Sequence, residues 1–218
     1  MAHTPPHRSP FANHEYFLSA GKLLARFDGI LDSRIKNTTM RAIGSKQPVL
    51  KPQDLVVILG VATMRDVEPT FARLADALFI SASEVHAAVQ RSITCHLLER
   101  EYGSFSVNRA SLSEFLLHGV RYAFPAVAGP VTRGLPTGVS APPLREHFEH
   151  AADALPLVWP DAEGEVRGIS LCPLYPSVPT ACRADPQLYR ALALLDALRG
   201  GAAREREMAG KMLLNDLR

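Results

Sequence analysis

Residues 70–97, TFARLADALFISASEVHAAVQRSITCHL, decide how this chain folds. Phe71, Leu74, Ala75 and Leu78 recur at i, i+3, i+4 and i+7, which puts them on one face of a short helix. Ile80 follows as a further core position, and Ser81 interrupts the pattern. Ser81 and Glu84 have the spacing of a capping box, in which the serine oxygen accepts the amide of residue 84 and the glutamate returns to the amide of Ser81. A second helix therefore starts at Ala82. Around its wheel Val85, Ala88, Val89, Ser92 and His96 share one side. Ser83, His86, Ala87, Gln90 and Thr94 share the other, with Arg91 at the edge. The segment reads as two amphipathic helices joined by a tight turn, the second with a polar outer stripe.

Such a stripe suits the major groove of duplex DNA, where short polar groups and an amide reach base edges and an arginine reaches a base or phosphate. Leu74-Ala75-x-x-Leu78-x-Ile80-Ser81-x-Ser83-Glu84-Val85 resembles the helix-turn-helix core of bacterial winged-helix transcriptional regulators, of the broad MarR and ArsR class. The resemblance implies a cytoplasmic regulator that binds double-stranded DNA. Ser83, His86, Gln90 and Thr94 would face base edges, and Arg91, Arg100 and Arg109 would hold phosphates. A homodimer is expected, because one short recognition helix contacts few base pairs and a two-fold pair doubles the contacts. Three positions depart from the pattern. Phe79 stands at the usual turn glycine and predicts a left-handed turn made at some cost in strain. Ser92 and His96 stand in apolar slots and predict a less apolar or shifted packing of the second helix. The competing reading is a helix pair used only for scaffolding or protein docking.

Composition bounds the partners. Hydrophobic residues make up 47% and charged residues 21% of the 218 residues, the profile of a globular chain with a substantial core. The net charge is +2, so any DNA-binding potential is local rather than histone-like. Residues 1–50 hold seven Lys and Arg against three Asp and Glu; residues 51–110 hold six against seven and residues 111–218 eleven against twelve. Cys95, Cys172 and Cys182 lack C-x-x-C spacing and read as reduced intracellular thiols. No run of about 18 apolar residues predicts a membrane span, and no membrane partner is expected.

The pattern outward from 70–97 predicts an α+β, mainly helical chain in three parts. Residues 1–50 are a tail and helix: 1–12 are Pro- and His-rich and read as disordered, 13–34 carry a broad apolar face, and 35–48 form a basic linker with Lys36, Arg41 and Lys46. Residues 51–124 are the winged helix-turn-helix. A helix covers 51–64 with Pro52 in its first turn. Residues 97–99 and 104–107 pair as a small wing around Tyr102-Gly103. A helix covers 111–124, with Ser111 and Glu114 at capping-box spacing and Pro125 as its stop. Residues 125–218 are an α+β region for dimerisation, sensing or partner binding. In it 125–144 has five prolines and three glycines and reads as an irregular loop, in which Arg133-Gly134-Leu135-Pro136-Thr137 is a candidate anion or peptide site. Residues 155–159 and 166–171 read as a hairpin turning at 161–164. Residues 173–179 are proline-broken. Asp185 caps a helix with Pro186 at its first position and Gly200-Gly201 at its end, and 203–217 completes a helical hairpin.

Other constellations carry less. His147 and His150 have the spacing of two metal ligands on one helix face, without a third ligand at a recognisable distance. Asp161, Glu163 and Glu165 cluster at a turn tip, where acids are ordinarily solvated. Arg199, Arg204 and Arg206 with Glu205 and Glu207 read as a solvated helix start. No nucleophile elbow, phosphate loop or dinucleotide-binding glycine pattern is present, so no enzyme activity, cofactor or metal is expected. The alternative function is a protein-interaction component, such as an autoregulating antitoxin-like or defence-associated partner protein whose C-terminal half grips another protein.

Overall fold

Pro52–Thr63 forms α1, and all of its residues from Asp54 to Ala62 are buried. In the computed structural model, which describes residues 49–64, 67–101, 104–148 and 154–217, this helix is the centre of the first half. The chain divides into units 1–47 and 48–218, and the second is the one described. The expected tail, helix at 13–34 and basic linker lie outside the described residues, as do Tyr102, Gly103 and His150. The class is α+β and mainly helical, as expected. No helix among the described residues is long and apolar enough to cross a membrane.

Phe71–Leu78 is α2 and Ala82–Thr94 is α3. Thr70 caps α2 by accepting the Arg73 amide, and Ser81 caps α3 by accepting the Glu84 amide. α2 ends with Phe79 in the left-handed region at φ 53°. The Ile80 amide then donates to the Ala75 carbonyl at 3.1 Å, a Schellman closure that turns Ile80 into the core. The glycine-free left-handed turn expected at Phe79 is therefore present, and the ring projects outward, 56% exposed. α3 ends in the same way around His96 at φ 59°, with His96 N–H to Ile93 and Leu97 N–H to Ser92. The helix thus stops short of His96, which is exposed rather than in a buried slot; Leu97 takes the core position. Ser92 is buried without any shift, because its hydroxyl donates to the Ala88 carbonyl at 2.7 Å.

Leu98–Glu101 (β1) and Ser104–Val107 (β2) form the expected antiparallel hairpin, in the register Leu98↔Val107 to Glu101↔Ser104. Leu98 and Phe105 point into the core. The next helix starts earlier than the Ser111–Glu114 spacing predicted. α4 is Arg109–Glu114, and its cap is Asn108, whose side-chain oxygen accepts the Ser111 amide. It widens into a π turn at Phe115–Gly119, where the Phe115 ring lies against Gly119, and narrows again as α5, Val120–Ala123.

The second half departs most from expectation. Ala128–Pro136 is not an irregular loop but a strand, β3. It closes with Leu157–Pro160 (β4) and Val166–Leu171 (β5) into a three-stranded barrel. β3 pairs antiparallel with both, so β4 and β5 run parallel, with Leu157↔Ile169 and Val158↔Ser170, instead of forming a hairpin with each other. Pro130 falls in the register shift between Ala128 and Val131, where a missing amide is tolerated. Closure so tight needs glycine: a Cβ on Gly134 would sit 1.9 Å from the Trp159 carbonyl oxygen, and one on Gly168 would sit 2.1 Å from that of Pro156. The proline-broken segment leads into a short helix, α6 (Val178–Ala184). Pro186–Gly200 (α7) and Ala203–Asp216 (α8) form the predicted hairpin, with Asp185 accepting the Gln187 and Leu188 amides.

α7 is buried from Ala191 to Arg199 and carries the main polar cluster of the core. Asp196 accepts Thr137 Oγ1 at 2.9 Å and Trp159 Nε1 at 2.6 Å, and pairs with Arg199. Arg199 donates onward to the carbonyls of Phe124 and Pro125 at 2.8 and 3.1 Å. Arg199 is thus buried structure rather than part of a solvated helix start. Burial pushes the Asp196 carboxyl upward, against the pull of Arg199, Thr137 and Trp159. One apolar core runs through α1, α2, α3 and α7 without a break at residue 124. Gly134→Ala should lower stability by about 3 kcal/mol or more, read as a lower urea midpoint; an unchanged midpoint would mean that the barrel opens freely at this contact.

Candidate nucleic-acid interface

The inner side of α3 is fixed by its own apolar residues. Val85, Ala88 and Val89 are buried with Ser92, so the remaining arc of the wheel is left to solvent. Ser83, His86 and Thr94 are exposed there, and Ala87 and Gln90 are half-buried. The expected stripe is therefore brought together on one face. Its hydroxyls are partly engaged: Ser83 lies 3.2 Å from the Ser81 hydroxyl, and Thr94 donates to the Gln90 carbonyl at 2.9 Å. Each still has lone pairs for an incoming donor.

Both flanks of the stripe are tied down. On one, the His86 ring packs at a tilt against Phe71 of α2, 5.0 Å between centroids, and Phe71 lies 5.2 Å from Phe105 of β2, so both helices and the hairpin share an aromatic seam. On the other, Arg91 donates through Nε to Asp54 Oδ2 at 2.8 Å and through Nη2 to Oδ1 at 2.5 Å. Asp54 is fully buried and also accepts the Lys51 amide at 2.8 Å. The pair raises the Arg91 guanidinium above its ordinary range. Arg91 thus locks α3 against the start of α1, with two of its three nitrogens committed inward. Arg100 on β1 and Arg109 at the start of α4 are exposed. Asn108, beside Arg109, donates to Glu99 at 2.5 Å and to the Leu97 carbonyl at 3.1 Å, which fastens the base of the hairpin to α4.

Two residues that sequence reasoning missed hold the end of α2 and the start of α3. Tyr175 donates its hydroxyl to Glu84 Oε2 at 2.7 Å, and Ser177 donates to the Leu78 carbonyl at 2.6 Å. Glu84 therefore turns to Tyr175 instead of closing the predicted capping box. The bond raises the Tyr175 phenol. The separation of 91 residues between these partners leaves no local pattern to find. The other candidates do not assemble. His147 sits in a single 3₁₀ turn, Arg145–His147, rather than on a helix face. Among the described residues no three His, Cys, Asp or Glu side chains could hold a metal ion.

No family model matches the chain, and no solved structure matches it. It is similar over 92 residues, at 32% identity, to a sulfite reductase (ferredoxin) of Synechococcus elongatus. The match covers 42% of this chain and 14% of that protein, so it spans a small part of the relative's length.

Arg91→Ala strands the buried Asp54 carboxylate, and stability should fall by about 3 kcal/mol. Asp54→Asn should be tolerated far better in the Arg91→Ala background than alone. Equal losses in both backgrounds, in a double-mutant cycle of urea midpoints, would show that the two side chains do not interact.

Proposed function

We propose that this protein is a sequence-specific regulator that binds double-stranded DNA as a homodimer through a winged helix-turn-helix. In this reading α2 and α3 are the helix-turn-helix and β1–β2 is the wing. The outer stripe of α3 carries the proposal: a rigid helix presents Ser83, His86, Gln90 and Thr94 outward, and none of them is needed to fill the core. Side chains of this length and polarity suit base edges in a major groove. Arg100 and Arg109 supply phosphate contacts, while Arg91, its charge matched by Asp54, holds the helix at its angle and leaves one guanidinium nitrogen for a phosphate. The near-neutral charge of residues 51–110 means that affinity rests on these few cations together with base contacts. The region after residue 124 reaches the start of α3 through Tyr175 and the end of α2 through Ser177, so dimerisation, a ligand or a partner protein acting there has a direct route to the helix-turn-helix.

The test is binding to the duplex upstream of the protein's own gene, with random-sequence competitor. Ser83→Ala and Gln90→Ala should each lose about 1–3 kcal/mol of specific binding while urea midpoints stay unchanged, because neither side chain is buried. Wild-type protein that does not distinguish this duplex from competitor, together with variants that bind like wild type, would overturn the proposal. A stoichiometric protein partner recovered in that case would favour the interaction-component reading.

A further inference from the structure

The barrel sets two arginines directly opposite each other. Arg133 of β3 is the cross-strand partner of Arg167 of β5, and both side chains are exposed. Opposed residues in an antiparallel pair have Cβ atoms about 5 Å apart on one face, and like charges there repel. Neither arginine has an ion-pair partner among the described residues. The carboxylates nearby do not relieve the pair. Arg183 of α6 takes up both Asp161 and Glu163, the latter at 3.0 Å, and Glu165 pairs with neither arginine. The backbone under the pair is rigid: Gly134 follows Arg133 and Gly168 follows Arg167, each at a strand contact that no side chain could enter. Two unpaired guanidiniums held on a stiff support match the geometry of a phosphate, which arginine binds through two parallel N–H donors.

The position connects this pair to α3. The Arg133 carbonyl accepts the Asp161 amide at 3.2 Å, Asp161 binds Arg183 of α6, and the residues leading into α6 bind Leu78 at the end of α2 and Glu84 at the start of α3.

We propose that Arg133 and Arg167 form a phosphate-binding site for duplex DNA outside the segment read by α3, an extension that rests on the DNA-binding reading above. The contact adds affinity and orientation without base specificity. It gives the anion site foreseen around Arg133 a second half that no local sequence pattern indicates.

The experiment measures binding of the full chain to a long upstream duplex and to a random duplex of equal length, across a salt series. Each lost phosphate contact flattens the log K against log salt slope by ~0.9. The Arg133→Ala/Arg167→Ala variant should therefore lose about 0.9 per DNA-bound chain from the slope on both duplexes, with the ratio between them unchanged. Its urea midpoint should not fall, since a repulsion is removed. Arg133→Lys/Arg167→Lys should keep the slope, because charge is retained. An unchanged slope in the alanine variant, while Gln90→Ala still loses specific binding, overturns the phosphate site and leaves the recognition helix standing. A flattened slope with Gln90→Ala indistinguishable from wild type supports the phosphate site and removes the recognition helix. Trimming the flanks of the upstream duplex should abolish the difference between wild type and the alanine variant; a difference that persists on the short duplex places the pair within the central segment and contradicts the proposal.

Discussion

The buried carboxylate of Asp196 is the constraint on which the second half of the molecule depends. It gathers a strand end through Thr137, a neighbouring strand through Trp159 and its own helix through Arg199. Arg199 extends the cluster to the carbonyls that end α5. A charge taken this far out of water is costly unless its hydrogen-bonding capacity is filled. Here every buried side-chain nitrogen and oxygen among the described residues has a partner. The cluster contributes arrangement more than raw stability: it fixes where the barrel stands on α7 and where α5 hands the chain over to β3. Tyr189 reinforces it by donating to the Pro136 carbonyl at 2.8 Å and packing edge-on against Trp159. Burial pushes its phenol up to about 12.

The first half solves a smaller version of the same problem. The outer stripe of α3 is useful only if the helix is held from behind, and the holding groups lie at its margins. Asp54 and Arg91 fix one margin, the Phe71–His86–Phe105 seam fixes the other, and Tyr175 fixes the start while Ser177 fastens the end of α2 before it. The outward residues are then free of structural duty, so their substitution separates recognition from folding. Two bulky residues in left-handed turns, Phe79 and His96, end α2 and α3; each costs something in backbone strain and each turns the following apolar residue inward.

Much of this architecture was legible in local sequence. Periodicity placed α2, α3 and α8, because each buries a face with helical spacing, and apolar runs opening on a proline placed α1 and α7, which are buried nearly all round. Asp185-Pro186 and Gly200-Gly201 marked the ends of α7, since caps are local chemistry. The illegible parts depend on distant partners. β3 looked like a loop because its prolines and glycines break alternation, yet a tiny closed barrel requires small residues where strands touch. The parallel β4–β5 pairing follows from both strands joining β3, which nothing within 155–171 reveals. Arg199 looked solvated because its acceptors, Phe124 and Pro125, lie some 75 residues away. Of the candidate site, the stripe on α3 was readable and its supports were not: Arg91 read as a phosphate contact, because its partner Asp54 is 37 residues earlier.

The central claim is that the outer face of α3 meets duplex DNA. Hydrogen exchange of the full chain, with and without the upstream duplex, tests it most directly. The account predicts slowed exchange concentrated in Ser81–Thr94 and the β1–β2 hairpin with the upstream duplex, and little or none with random duplex at the same concentration. Protection that spares α3 and falls wholly on other segments, or that follows any duplex equally, would contradict it.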